Sequence, residues 1–307
     1  MKATKIITVI CWSITALVLT GLLIFFLTGT IFGLSSDKWD FGNFGIGFNS
    51  FTENLTGPFE VDEEYLVDVG QIQSLKVNWV SGNVVVKAYD GDKIQITELA
   101  QRELRDREKL SFSVAGDTLT VNFRERGGFG NMPRKQLEVL VPQGLAESLS
   151  KLIVNTVSGD VNVEAIAATD LQSEAVSAEL NIKGTFGRAK LENVSGRIIL
   201  RNEAENSIAE ANTVSGSIDL SGTFNTVKIE TVSGRMTVES MILPTSLKSD
   251  SVSGSLTIKL PADSTISVNH SAVSGKLNSE LPVLMDGKGA AFVISSVSGS
   301  TTITVLE

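Results

Sequence analysis

Hydrophobic and polar residues alternate along most of the second half of the chain, and the alternation restarts at a recurring Val-Ser-Gly tripeptide. From the second copy onward, the copies lie 18 to 24 residues apart by subtraction of their positions. A fixed period of this length, with room for two short strands and two turns, predicts a stack of similar β units. The serines of the copies, including one degenerate copy that ends in Ala178, are Ser81, Ser158, Ser177, Ser195, Ser215, Ser233, Ser253, Ser274 and Ser298.

The apolar positions form columns when the repeats are aligned on the tripeptide. Most copies have apolar residues two and four positions after the Gly, polar residues between them, and an apolar residue six positions before the Ser. This pattern is typical of strands with one buried face and one solvent-exposed face. We therefore predict an all-β fold, a β-solenoid or β-helix-like stack in which each coil buries its apolar face against its neighbours. The direction of the Val before each Ser stays open, because strict alternation turns it outward and a bulge turns it inward.

The corners of the stack are predicted at the tripeptides. Glycine suits a corner because it adopts positive φ without steric cost. Ala178 breaks this pattern, so its corner either differs from the others or is strained. The predicted structural turn residues are Ser158, Gly159, Ser195, Gly196, Ser215, Gly216, Ser233, Gly234, Ser253, Gly254, Ser274, Gly275, Ser298 and Gly299.

Residues 65–149 are also strand-like but less strictly repeated, and we predict that they form an N-terminal β region that caps the solenoid of residues 150–307. A basic, Gly-rich stretch interrupts this region. It is either a solvated loop or a loop that receives an anion or a partner. The residues that would carry such binding are Arg124, Arg126 and Arg134.

Residues 6–34 contain no charged side chain. The run exceeds the ~20 residues that a spanning helix needs and the apolar core of a cleavable signal peptide. Lys2 and Lys5 precede the run, so the positive-inside rule places the N-terminus in the cytoplasm. We predict that residues 1–34 form a cytoplasmic stub and a transmembrane signal anchor, with a cleaved signal as the alternative. The protein would then be a single-pass cell-membrane protein with an extracellular C-terminal domain.

Residues 35–64 are rich in Gly, Phe and Asn and are predicted to form a tether. Its aromatic side chains would either rest at the headgroup level of the membrane or bind a partner. The net charge of −9 argues against nucleic acid as a partner, because phosphate binding needs clustered basic residues. The single cysteine, Cys11, lies in the apolar run, so no disulfide forms within one molecule.

Catalytic constellations are not evident in the sequence. His270 is the only histidine, and it occupies a repeat position that is otherwise apolar, which predicts a structural role. No zinc-binding cluster of Cys and His occurs, and no cofactor, metal or enzymatic activity is expected. An acidic column is predicted on the solenoid, neutralised in part by neighbouring lysines, and its members are Glu174, Glu192, Glu230 and Asp250.

Three sequence features resemble a known family. They are LEVLVPQG leading into NTVSGDVNV, the upstream VSGNVVVKAYDGDKIQIT, and the repeated tripeptide itself. Together they are similar to the bacterial putative-adhesin family of β-strand-repeat proteins, a domain of unknown function, over about residues 65–307. The layout also resembles the membrane-anchored accessory proteins of Lia-type cell-envelope stress responses. The resemblance implies a surface protein and supplies no catalytic residues.

These observations favour a non-enzymatic, membrane-anchored extracellular protein that binds or senses cell-envelope components, as an accessory to an envelope-stress response. The alternative is a structural or adhesive surface protein that contacts wall polymer, matrix or other cells. A polysaccharide-acting solenoid enzyme is third. The expected partners are the membrane, through residues 6–34, and a membrane sensor or regulator. We also expect self-association, because the last rung, ending at Glu307, has no following segment to cover it.

Overall fold

The computed structural model describes residues 58–124, 134–284 and 291–306. The predicted membrane segment and most of the predicted tether lie outside these residues. Within them, no helix is long and apolar enough to cross a membrane. The first strand begins at Glu60, inside the range predicted as tether, because its residues pair with a later strand from Lys93 to Ala100.

Strands make up 75% of the described chain, as the alternation predicts. One short helix, α1 (Gln143–Ala146), and a 3-10 turn at Asp106–Glu108 interrupt them. The strands are β1 (Glu60–Asp68), β2 (Ser74–Asn78), β3 (Val84–Tyr89), β4 (Lys93–Ala100), β5 (Ser111–Ala115), β6 (Thr118–Asn122), β7 (Lys135–Pro142), β8 (Leu149–Ser158), β9 (Val161–Ser177), β10 (Leu180–Ser240), β11 (Ser246–Leu260), β12 (Ile266–Ser274), β13 (Leu277–Ser279), β14 (Val283–Leu284), β15 (Phe292–Ser298) and β16 (Thr301–Val305).

Each coil of the stack consists of a pre-turn strand, a Val-Ser-Gly corner and a post-turn strand. Neighbouring coils pair in parallel register, so that Ser177 lies opposite Ser195 and Ser233 lies opposite Ser253. Like residues therefore superpose along the stack at the interstrand spacing of about 4.8 Å. The apolar columns face inward: Leu180, for example, is fully buried. This solenoid arrangement confirms the all-β architecture that the sequence predicts.

The direction of the Val before each Ser, which the sequence left open, follows strict alternation in most coils, although Val157 is buried. Val194 is partly exposed, whereas Asn193 before it is fully buried. The buried position before the Val is polar in most coils, and it carries Thr156, Asn193, Thr213, Thr231, Ser251 and Ser296. The interior of the solenoid is therefore apolar along the strands and polar next to the corners.

The last coil of the chain does not lie at the end of the stack. Strand β15 pairs with β11 on one edge and with β12 on the other, and β16 lies between β11 and β13 in the same way. The prediction that the C-terminal rung is uncapped is therefore wrong. Residues 266–279 form the coil at that end of the stack, because the chain passes this position before it returns to fill the gap behind it.

The N-terminal end shows a matching arrangement. Strands β2 and β3 lie between β8 and β9 on one side and β6 and β7 on the other, all in parallel register. The less regular region thus adds coils to the same stack. Antiparallel strands border it: β4 pairs with β7, β1 pairs with β4, and β5 pairs with β6.

The close contacts of the corner glycines agree with this order of coils. A Cβ built on Gly299 would overlap the carbonyl oxygen of Gly254, and a Cβ on Gly275 would overlap that of Gly299. Close approach of coils thus requires glycine even at Gly216, where φ lies outside the left-handed region. Ala178 fits because its corner differs: its φ is not positive, and its carbonyl accepts a hydrogen bond from the Asn193 side chain at 2.7 Å.

Candidate functional site

A column of amide and carboxylate side chains runs along the outward face of the pre-turn strands. Each member except Asn122, which pairs with Asn78, stands three residues before a corner Ser, and all are half-buried. Parallel pairing fixes the order, with Asn78 between Asn122 and Asn155, and Glu174 beside Glu192. We call this set the amide–carboxylate column, and its members are Asn122, Asn78, Asn155, Glu174, Glu192, Asn212, Glu230 and Asp250. It contains the acidic column that the sequence predicts and extends it toward the N-terminal end.

Hydrogen bonds link successive amides of the column. Asn78 Nδ2 donates to Asn122 Oδ1 at 2.9 Å, and Asn155 Nδ2 donates to Asn78 Oδ1 at 3.1 Å. Further along, Asn212 Nδ2 lies 3.4 Å from Glu192 Oε1. These bonds hold five of the eight side chains in one orientation, so that much of the column is positioned before any ligand arrives.

Lysines neutralise three of the carboxylates from two positions earlier on the same strand. The Nζ–carboxylate distances are 3.0 Å for Lys190–Glu192, 2.9 Å for Lys228–Glu230 and 2.8 Å for Lys248–Asp250. The pairs lie along a strand rather than across coils. Burial, with the neighbouring Glu192 charge, raises the pKa of Glu174. Three of the column's carboxylates therefore lie beside lysines, so this face of the solenoid carries both signs of charge.

The predicted turn residues form an exposed ridge beside this column. Ser158 lies opposite Ser177, Ser253 opposite Ser298, and Ser274 opposite Ser298. All of these serines are exposed, while Ser81 at the first corner is buried. The ridge follows from the geometry of the corners.

The basic loop is only partly described. Arg124 is buried and Arg134 is exposed, whereas Arg126 lies outside the described residues. Burial lowers the pKa of the Arg124 guanidinium. The two described arginines therefore occupy different environments, and the binding role of the loop remains a prediction.

The N-terminal end of the stack contains a buried ion pair that the sequence did not predict. Lys135 Nζ lies 2.6 Å from Glu98 Oε1, and both side chains are fully buried. Lys135 also donates to the carbonyl oxygens of Glu108, at 2.6 Å, and Phe123. Glu98 accepts the backbone N–H of Leu110. Three acceptors thus satisfy the three ammonium protons.

Aromatic rings enclose this ion pair. The Nζ of Lys135 lies 4.0 Å from the ring centroid of Phe123 and 5.2 Å from that of Trp79. Burial lowers the pKa of Lys135 to about 8 and raises the pKa of Glu98. One signal in the sequence could have found the site: Glu98 continues the inward positions of Ile94 and Ile96, where an acid needs a buried partner.

His270 is half-buried and lies opposite Ile294. Burial lowers the pKa of its imidazole. Within the part of the chain that the structure describes, no group of three or more His, Cys, Asp or Glu side chains could hold a metal ion.

Comparison with known proteins identifies the family. The Toastrack DUF4097 family model matches residues 72–304, which is most of the chain. The chain belongs to the Toastrack family. This family is a domain of unknown function, and the assignment confirms the sequence resemblance to β-repeat putative adhesins. No curated protein matches the chain.

The chain is similar to several solved structures. A putative adhesin from Bacteroides fragilis superposes with a TM-score of 0.51 at 15% identity, covering 82% of this chain and 98% of that chain. A putative adhesin from Parabacteroides distasonis has a TM-score of 0.43 at 14% identity, covering 81% and 98%. A putative lipid binding protein from the same species has a TM-score of 0.41 at 12% identity, covering 80% and 96%. At such identities the first similarity supports the fold alone.

Proposed function

We propose that this Toastrack protein is a non-enzymatic protein of the cell envelope, anchored in the membrane by residues 6–34, whose solenoid binds a repeating envelope polymer outside the membrane. The amide–carboxylate column is the observation that carries the proposal. It places the same kinds of hydrogen-bonding group on successive coils, about 4.8 Å apart, on one rigid face.

Such a face suits a polymer better than a small molecule. Each exposed hydrogen bond contributes only about 0.5–1.5 kcal/mol, so one coil binds weakly. A polymer that engages several coils gains affinity through effective concentration without any new kind of contact. Alternating lysines and carboxylates favour a ligand with hydroxyl and amide groups, such as a wall glycan, over a strongly charged one.

The test is co-sedimentation of the full-length protein, in detergent, with purified peptidoglycan sacculi. The variant Glu192→Lys/Glu230→Lys reverses two charges on the pre-turn face. The matched control, Glu138→Lys/Glu239→Lys, makes the same charge change on post-turn strands and also breaks two ion pairs, with Lys87 and Lys259. We expect at least tenfold weaker binding for the first variant and unchanged binding for the control. Equal effects of the two variants, or no binding by the native protein, would overturn the proposal.

We further propose that a partner membrane protein transmits the binding signal to the cytoplasm. The protein would then act as an accessory of an envelope-stress response. The support is the resemblance to Lia-type accessory proteins and the predicted membrane span of residues 6–34, which could contact such a partner within the membrane. Crosslinking in living cells, with the native span and with an unrelated span of equal length, separates this role from adhesion. A membrane protein captured only with the native span supports signalling, whereas capture of wall components with both spans supports an adhesive or structural role.

A further inference from the structure

Within the part of the chain that the structure describes, the coil formed by β12 and β13 has an edge with few pairing partners. Strand β12 pairs with β15, and its other edge meets β14 only at Ile266 and Ser267. Strand β13 pairs with β16 alone. Among the described residues, Val268–Ser274 and Leu277–Ser279 therefore have one neighbouring strand instead of two. We call these two segments the terminal edge.

The terminal edge lacks the charges that usually protect an exposed strand. It contains no Asp, Glu, Lys or Arg, although interior pre-turn strands carry the lysine–carboxylate pairs described above. Val273 on this edge is 61% exposed. At the opposite end of the stack, β1 is strongly acidic, with Glu60, Asp62, Glu63, Glu64 and Asp68. Charge is a common device against edge-to-edge pairing, and only one end of this solenoid uses it.

We propose that two copies of this chain associate end to end through the terminal edge. A two-fold axis would bring each β12 antiparallel to its counterpart, so that the open N–H and C=O groups of both copies pair with each other. The net charge of −9 makes two copies repel over most of their surfaces. The strands of the terminal edge carry no ionised side chain, and the nearest charge on their coil is Lys276 at the corner between them, so two such edges meet with little repulsion.

This geometry predicts the shape of the dimer. Strand β1 lies at the far end of the stack from β12. End-to-end pairing therefore sends the two N-terminal ends in opposite directions and makes a particle about twice as long as the monomer. A dimer formed side by side, by contrast, would keep the monomer length. The inference does not depend on the proposed polymer ligand, because the assay contains none.

The test compares two single lysine substitutions in the full-length protein in detergent. Ser271→Lys would place like charges opposite each other across the proposed interface. Ser295→Lys is the control, because Ser295 lies one coil inward on the same face, beside Asp250. Val273→Lys provides a second interface variant at a more exposed position. Sedimentation gives the dimer dissociation constant, thermal unfolding checks folding, and negative-stain electron microscopy gives particle length.

We expect the native protein and Ser295→Lys to form doubled-length dimers at high micromolar concentration. We expect Ser271→Lys and Val273→Lys to raise the dissociation constant at least tenfold. A monomer at all concentrations, a dimer of unchanged length, or open-ended chains of particles would each overturn the proposal. So would a dimer that both interface variants leave intact.

Discussion

The Nζ of Lys135 lies 2.6 Å from the Oε1 of Glu98, and neither side chain reaches solvent. A Cβ on Gly82 would overlap the Lys135 carbonyl oxygen, just as other corner glycines approach the corner of the next coil. Lys135 therefore occupies the position at which the next coil would have its corner. The ion pair therefore replaces a Val-Ser-Gly corner at the N-terminal end of the stack. Trp79 and Phe123, in edge-to-face contact at 4.9 Å, shield it from water.

Replacing Lys135 by Met tests the contribution of this pair. The substitution keeps the volume but leaves Glu98 buried without its cation, so we expect a loss of about 3–5 kcal/mol in the free energy of unfolding. Lys228→Met breaks a partly exposed pair and should cost no more than about 1 kcal/mol. Urea unfolding measures both. Equal losses for the two variants would show that the buried pair has no special role.

Glycine at the corners is predicted to be required by the close approach of coils. Gly216→Ala should lower the free energy of unfolding by about 1–3 kcal/mol, because its Cβ overlaps the Gly196 carbonyl oxygen. Gly144→Ala is the control: no atom lies within 4 Å of its Cβ, and alanine favours the short helix α1. Chemical denaturation gives both values. A destabilised Gly144→Ala, or an unaffected Gly216→Ala, would contradict the account.

Acid sensitivity is predicted at Glu108. A hydrogen bond from Arg102, at 2.9 Å, lowers the pKa of this carboxyl from 4.5 to about 2. The unfolded state therefore binds more protons between these pH values, so this contribution to stability is present above about pH 4.5 and lost as the pH falls toward 2.

The variant Glu108→Gln should reduce the fall in urea midpoint between pH 5 and pH 2 relative to the native protein. Glu103→Gln, at a nearby exposed position, should leave the fall unchanged. An identical pH profile for the native protein and Glu108→Gln would refute the role assigned to the Arg102 hydrogen bond.

Period-two alternation predicted the strands, their buried faces and the corners, because a half-buried sheet imposes that pattern on the residues themselves. It could not predict the order of coils at the ends. The β15–β16 coil has the same inward pattern as its neighbours, so local sequence does not distinguish a position within the stack from one at its end. Nor could the pattern find the partner of Glu98, since Lys135 is 37 positions away by subtraction and meets it only through the fold.

The position of the terminal edge depends on the order of the coils. Disulfide formation tests that order most directly. Neighbouring coils place corner residues about 4.8 Å apart, within reach of a disulfide, whereas coils separated by another coil place them about 10 Å apart. In full-length protein with Cys11→Ser, we predict that Ser253→Cys/Ser298→Cys and Ser274→Cys/Ser298→Cys form intramolecular disulfides. Ser253→Cys/Ser274→Cys should not. A disulfide in that last variant, without one in Ser253→Cys/Ser298→Cys, would show that the coils stack in chain order and would contradict the account.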